Sequence, residues 1–173
     1  MRHHVLTLVT AMSLSILAIT SAEAHVTIEQ QQAVAGATAK LTFRVPHGCD
    51  GAAMHTFKVQ IPEGVLNVKP MPKAGWQLRT VKAKLDKPIA GDHGATITEV
   101  VREVIWSGGN LPDEQYDEFV LRGAMPAKTG TLYIPAVQEC EKATERWIEI
   151  PATGQSSGDL KMPAPRLQIL PKP

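Results

Sequence analysis

Histidine, cysteine and methionine are the side chains in this sequence whose types suggest chemistry, and their positions narrow it. Ser21-Ala22-Glu23-Ala24 stands just before His25 and has small residues at positions 22 and 24. That is the A-x-A pattern at which an export signal is cut. Cleavage after Ala24 makes His25 the new amino terminus. A terminal histidine offers two donors from one residue, its α-amine and its imidazole Nδ1, closing a chelate ring. The α-amine has a reference pKa of about 8, so it gives up its proton readily to a competing metal. Two nitrogens in one plane suit the tetragonal preference of Cu(II). A second protein ligand is still required, because a histidine after a cut can be there by chance.

Three other histidines follow, His47, His55 and His93. His47 sits in Arg44-Val45-Pro46-His47-Gly48-Cys49-Asp50-Gly51, just past an expected strand end, and is the first candidate. His55 opens the next strand and is a weaker one. His93, in Gly91-Asp92-His93-Gly94, reads as a solvated hairpin-turn residue. Trp76 and Trp106 read as core tryptophans. Trp147 lies seven residues after Cys140 and could approach the His47 loop, where an indole face can cap a cation and exclude water. Met54, Met71, Met125 and Met162 are scattered, without the M-x-M clustering that Cu(I) sites favour, and read as packing residues. No nucleophile elbow, phosphate-binding loop, dinucleotide-binding glycine pattern or H-E-x-x-H is present.

Other elements must bring these residues together. Arg2, His3 and His4, the uncharged and mostly apolar run from Val5 to Thr20, and the small-residue cut site read as a signal peptide over 1–24. The two cysteines, Cys49 and Cys140, favour a disulfide in an exported protein over a Cys metal site. Such a bridge would fix the loop that carries His47. Charge is nearly balanced, with 18 Lys and Arg against 17 Asp and Glu, which gives no overall footprint for nucleic acid or an anionic membrane.

Between Pro and Gly breakers the chain shows short alternating runs. They are Val26–Ile28, Ala39–Val45, Thr56–Ile61, Gln77–Leu85, Thr96–Trp106 (ending at Ser107-Gly108-Gly109-Asn110), Tyr116–Arg122, Gly130–Pro135 and Arg146–Ile150. Period-two alternation at this spacing predicts an all-β, immunoglobulin-like or cupredoxin-like β-sandwich over residues 25–151, a single domain. Residues 152–173 read as a Pro/Gly/Ser-rich tail in which Arg166–Leu170 could add an edge strand.

At this point the sequence resembles the YcnI-like copper-binding family. The similar segments are Ala24-His25-Val26-Thr27-Ile28, Thr42-Phe43-Arg44-Val45-Pro46 and Val59-Gln60-Ile61-Pro62-Glu63-Gly64-Val65. Pro70-Met71-Pro72 through Gly75-Trp76, Ile105-Trp106-Ser107-Gly108-Gly109, Asp117-Glu118-Phe119 and Arg146-Trp147-Ile148 continue in order. The resemblance implies an exported β-sandwich that binds Cu(II) through an N-terminal histidine brace, here His25, with a tryptophan over the metal, here Trp147. It also implies a part in copper homeostasis beside periplasmic or inner-membrane copper-transport proteins. Bacillus-type members use a glutamate as a further ligand. Here His47-Gly48-Cys49-Asp50 stands at that place, a variant similar to the Gram-negative branch with its paired late cysteine. It puts His47 forward in the glutamate's stead, with Asp50 and His55 as second choices.

The leading expectation is therefore a periplasmic Cu(II) chaperone or carrier, not an enzyme. A copper-dependent redox enzyme is the alternative, and it would need an open copper face that a tryptophan over the metal would block. A metal-independent interaction module is the third reading.

Overall fold

The computed structural model describes residues 25–91 and 94–173. The expected signal segment and His93 lie outside the described residues. Twelve strands follow in order: β1 (Thr27–Ile28), β2 (Gln32–Val34), β3 (Thr38–Val45), β4 (Met54–Gln60), β5 (Leu66–Pro70), β6 (Gln77–Ala90), β7 (Thr96–Leu111), β8 (Asp117–Ala124), β9 (Gly130–Tyr133), β10 (Ala136–Cys140), β11 (Thr144–Trp147) and β12 (Arg166–Leu170). A 3-10 turn, Ser157–Asp159, is capped by Ser156.

The strands form a four-stranded sheet in the order β1-β3-β8-β5, a five-stranded sheet in the order β11-β10-β4-β7-β6, and a three-stranded sheet in the order β2-β12-β9. The first two stack face to face, as alternation on both requires. Phe43 of β3 and Phe119 of β8 meet Phe57 of β4, with ring centroids 6.1 and 4.7 Å away, and Phe119 also meets Trp106 of β7 at 5.5 Å. All four rings are fully buried. The Trp106 indole donates to the Met71 carbonyl at 3.1 Å, so its one polar atom is satisfied. The fold is an all-β sandwich, as the alternation predicts.

Two of the departures from the expected elements trace to packing and strand pairing. β7 does not stop at the glycine pair but runs on to Leu111. Gly108 takes a φ of 73°, and the register with β4 shifts between Met54 and Thr56. Gly109 is required by packing, because a Cβ there would lie 2.1 Å from Cε2 of Trp76, whose ring stands edge-on to Phe119 at 4.9 Å. The pair is therefore a bulge that admits a tryptophan, not a strand terminator. The second departure is β12, which is a central strand and not an edge. It pairs in parallel with β2 and antiparallel with β9, and it buries Leu167 and Ile169 in the core.

Candidate metal centre

The segment that carries His47 is tightly determined. Pro46 follows β3, and the chain then makes a two-residue hairpin in which Cys49 and Ala52 exchange both backbone hydrogen bonds at 2.9 Å. Asp50 and Gly51, at its centre, have φ of 49° and 76°. Both angles positive is the type I′ pattern that Asp-Gly favours. Gly48 must be glycine, because a Cβ there would stand 2.1 Å from the Ala52 carbonyl oxygen. Cys49 is buried and bonded to Cys140, across 91 residues of sequence, which ties the loop to the end of β10.

β10 and β11 supply the floor. Ala136, Gln138, Glu145 and Trp147 share the inward face of this edge hairpin, with Ala136 opposite Trp147 and Gln138 opposite Glu145. Trp147 is buried, and its indole nitrogen donates to Oε1 of Gln138 at 2.6 Å. The other end of that amide donates to the His47 carbonyl oxygen at 3.1 Å. The His25 ring stands edge-on to Trp147 with centroids 5.3 Å apart. His25, Trp147, Gln138 and His47 thus form one contiguous chain of contacts.

The donors at this place are specific. Nδ1 of His47 lies 2.7 Å from the Gly48 carbonyl oxygen and 3.6 Å from Oδ1 of Asp113. A carbonyl oxygen only accepts, so Nδ1 carries the proton in the neutral ring and Nε2 keeps its lone pair. Oδ1 of Asp113 and Oε2 of Glu145 are buried acceptors without a hydrogen-bond partner among the described residues. Burial pushes the Glu145 carboxyl up; His47 opposes the shift, while Asp113 and Asp50 reinforce it. Three carboxylates and an imidazole therefore influence one another here, and Asp113 and Glu145 each keep an oxygen without a hydrogen bond among the described residues.

His55, the second-choice ligand, is engaged elsewhere. Its Nδ1 contacts the Gly109 carbonyl oxygen at 2.7 Å and its Nε2 lies 3.4 Å from Glu141. Asp50, the other second choice, is exposed at the tip of the hairpin. Among the described residues no three His, Cys, Asp or Glu side chains converge as a closed metal cage. A brace does not need one, since two of its donors come from a single residue.

Sequence reading did not reach Gln138, Glu145 or Asp113. Gln138 had one detectable signal, a polar residue at an inward position of Ala136-Val137-Gln138. It is nearly inaccessible in the fold, and a buried amide hydrogen-bonded at both ends usually has a positional task.

Residues 25–169 match the family described as a domain of unknown function, DUF1775, which is the YcnI-type domain. No curated protein matches the chain. Among solved structures, the chain is similar to an uncharacterised protein from Nocardia farcinica with an immunoglobulin-like fold. The two are 28% identical, with a TM-score of 0.62, over 84% of this chain and 97% of that one. The match begins at His25 and runs from β1 into β12, and by that extent the chain belongs to the DUF1775 family of YcnI-type domains.

Proposed function

We propose that the protein is an extracytoplasmic Cu(II)-binding protein acting as a carrier in copper homeostasis, without catalysis of its own. Once residues 1–24 are removed, the α-amine and Nδ1 of His25 hold the ion, and Nε2 of His47 is the further imidazole ligand. The observation that carries this reading is the contact chain from His25 to Trp147, and through the Gln138 amide to the His47 backbone. The terminal histidine and the loop histidine are thereby tied to one buried indole. The donor set fits the ion, because nitrogen donors with carboxylate oxygens nearby are what Cu(II) takes in tetragonal geometry. The orphaned oxygens of Asp113 and Glu145 supply the negative charge that a divalent cation would neutralise. Trp147 keeps water from one side of His25 and orders its ring. The Cys49–Cys140 bridge suits an oxidising compartment, in keeping with an exported protein. Periplasmic or membrane copper transporters are the partners such a carrier would serve.

The test is the Cu(II) EPR spectrum of protein beginning at His25, at one equivalent of metal, beside His25→Ala and His47→Ala. An axial spectrum with nitrogen couplings is expected, lost in His25→Ala and altered in His47→Ala. Three identical spectra would overturn the reading and favour a metal-independent interaction module. Hydrogen peroxide production by the reduced, copper-loaded protein would instead favour a redox enzyme.

A further inference from the structure

A second surface lies on the outward face of the four-stranded sheet, and its charges are arranged against ordinary sheet physics. Lys40 of β3 stands directly opposite Arg122 of β8, and Arg122 stands directly opposite Lys69 of β5. Like charges directly opposite each other are destabilising, whereas opposite charges in facing register stabilise. All three side chains are exposed. None has an ion-pair partner among the described residues. The same face shows what pairing looks like one end further along. There Arg44 lies 3.2 Å from Glu29 and 3.8 Å from Glu118.

Beside the cation row lies an apolar hollow of about 370 Å³, walled by Pro70, Met71, Pro72 and Val120. Met71 is 53% exposed, held in place by its backbone bond to Val120 at 2.8 Å. A soft, flexible apolar side chain in an open hollow is the kind of surface that adapts to a partner's side chain. Three unneutralised cations beside it set the sign of that partner.

We infer that this face docks an acidic peptide segment of a partner protein, with one apolar side chain of that segment seated in the hollow beside Met71 and its carboxylates on Lys40, Arg122 and Lys69. Charge complementarity selects an anionic occupant, and the hollow selects one with an apolar anchor. A bilayer is disfavoured as the occupant. Three cations set on neighbouring strands span only on the order of 10 Å, and headgroup recognition ordinarily uses about 4–8 basic residues. The net charge of the whole chain is only +1, so overall charge adds little to membrane attraction. The inference is independent of the copper reading, because none of these residues belongs to the candidate metal centre.

The experiment is selection of a phage-displayed random dodecapeptide library on the purified protein, followed by affinity measurements of the enriched peptides. The expected consensus combines two or more Asp or Glu with a Leu, Met or Phe. Its binding should weaken by at least ten-fold in Lys40→Glu/Arg122→Glu and several-fold in Met71→Ser, and should fall with added salt. All three positions are exposed, so circular dichroism should show the variants folded; should the double variant not fold, Met71→Ser and the salt dependence carry the test. Failure to enrich an acidic consensus, or a consensus whose affinity is the same in the variants, overturns the inference. Co-sedimentation with phosphatidylglycerol vesicles that the double charge reversal abolishes, without any enriched peptide, overturns it in favour of a membrane surface.

Discussion

Gln138 shows how much one buried side chain can organise. Its amide satisfies the Trp147 indole at one end and the His47 carbonyl at the other. Gln138→Leu keeps the volume and removes both partners. Stranding a buried donor costs about 1–3 kcal/mol, so a loss of that size is expected in urea denaturation, together with a changed Cu(II) EPR spectrum. A loss of stability with an unaltered spectrum would confine Gln138 to a structural part. Glu145 supports a pH prediction whose sign is fixed by its environment. Its folded pKa is raised above the usual 4.5, mainly by burial. Its contribution is therefore fully present below that value and is lost as pH rises through the folded value. Glu145→Gln should flatten that part of the stability profile of the metal-free protein.

At the scale of elements, β7 packs the core and the disulfide holds the His47 hairpin. Gly109→Ala would drive a methyl into the Trp76 ring and disturb its contact with Phe119. Overpacking of this kind costs about 1–3 kcal/mol, to be read from denaturation and from a diminished near-ultraviolet circular dichroism signal. The Cys49–Cys140 bridge closes 91 residues of chain, and in the chain-entropy model such a loop is worth roughly 4–5 kcal/mol. Cys49→Ser/Cys140→Ser should lose stability of that order. It should also loosen the His47 hairpin, seen as a weaker His47-dependent component of the EPR spectrum. β12 makes a similar demand on the end of the chain. Truncation after Pro165 removes Leu167 and Ile169 from the core. Each such side chain contributes about 1.5–3 kcal/mol by burial, so the truncated chain should be markedly less stable.

For the whole molecule, metal and protons should act in opposite directions. His55 has its pKa raised above 6.5, chiefly by the Gly109 carbonyl and further by Glu141, against the lowering effect of burial. Its contribution is fully present below 6.5 and fades as pH rises through the folded value, which adds to the trend from Glu145. The metal-free protein should therefore lose part of its thermal stability between mildly acidic and mildly alkaline pH, and His55→Gln should remove the upper portion. Copper ligands must shed protons to bind, so stabilisation by Cu(II) should grow over the same interval. At 100-fold excess over the dissociation constant it should reach about 2.7 kcal/mol. Melting curves with and without Cu(II) at several pH values check both slopes.

The sequence by itself determined the sandwich, because alternating runs such as Ala39–Val45 and Thr56–Ile61 place one face of each strand against a core whatever their partners are. It also pointed to the Cys49–Cys140 pairing, because an even cysteine count in a chain that reads as exported favours a disulfide, and it named His25, His47 and Trp147 as candidates, the role of Trp147 resting on the family resemblance. Three strands escaped it for local reasons. β2 has only three residues, β5 is interrupted by Asn67 at a φ of 51°, and β10 follows directly on Pro135. Whether a glycine pair ends a strand or opens it to Trp76, whether Arg166–Leu170 lies at an edge or a centre, and which polar groups join His47 to Trp147 are all questions of long-range pairing. Only the tertiary structure decided them, because each depends on atoms far away in sequence that local pattern does not encode.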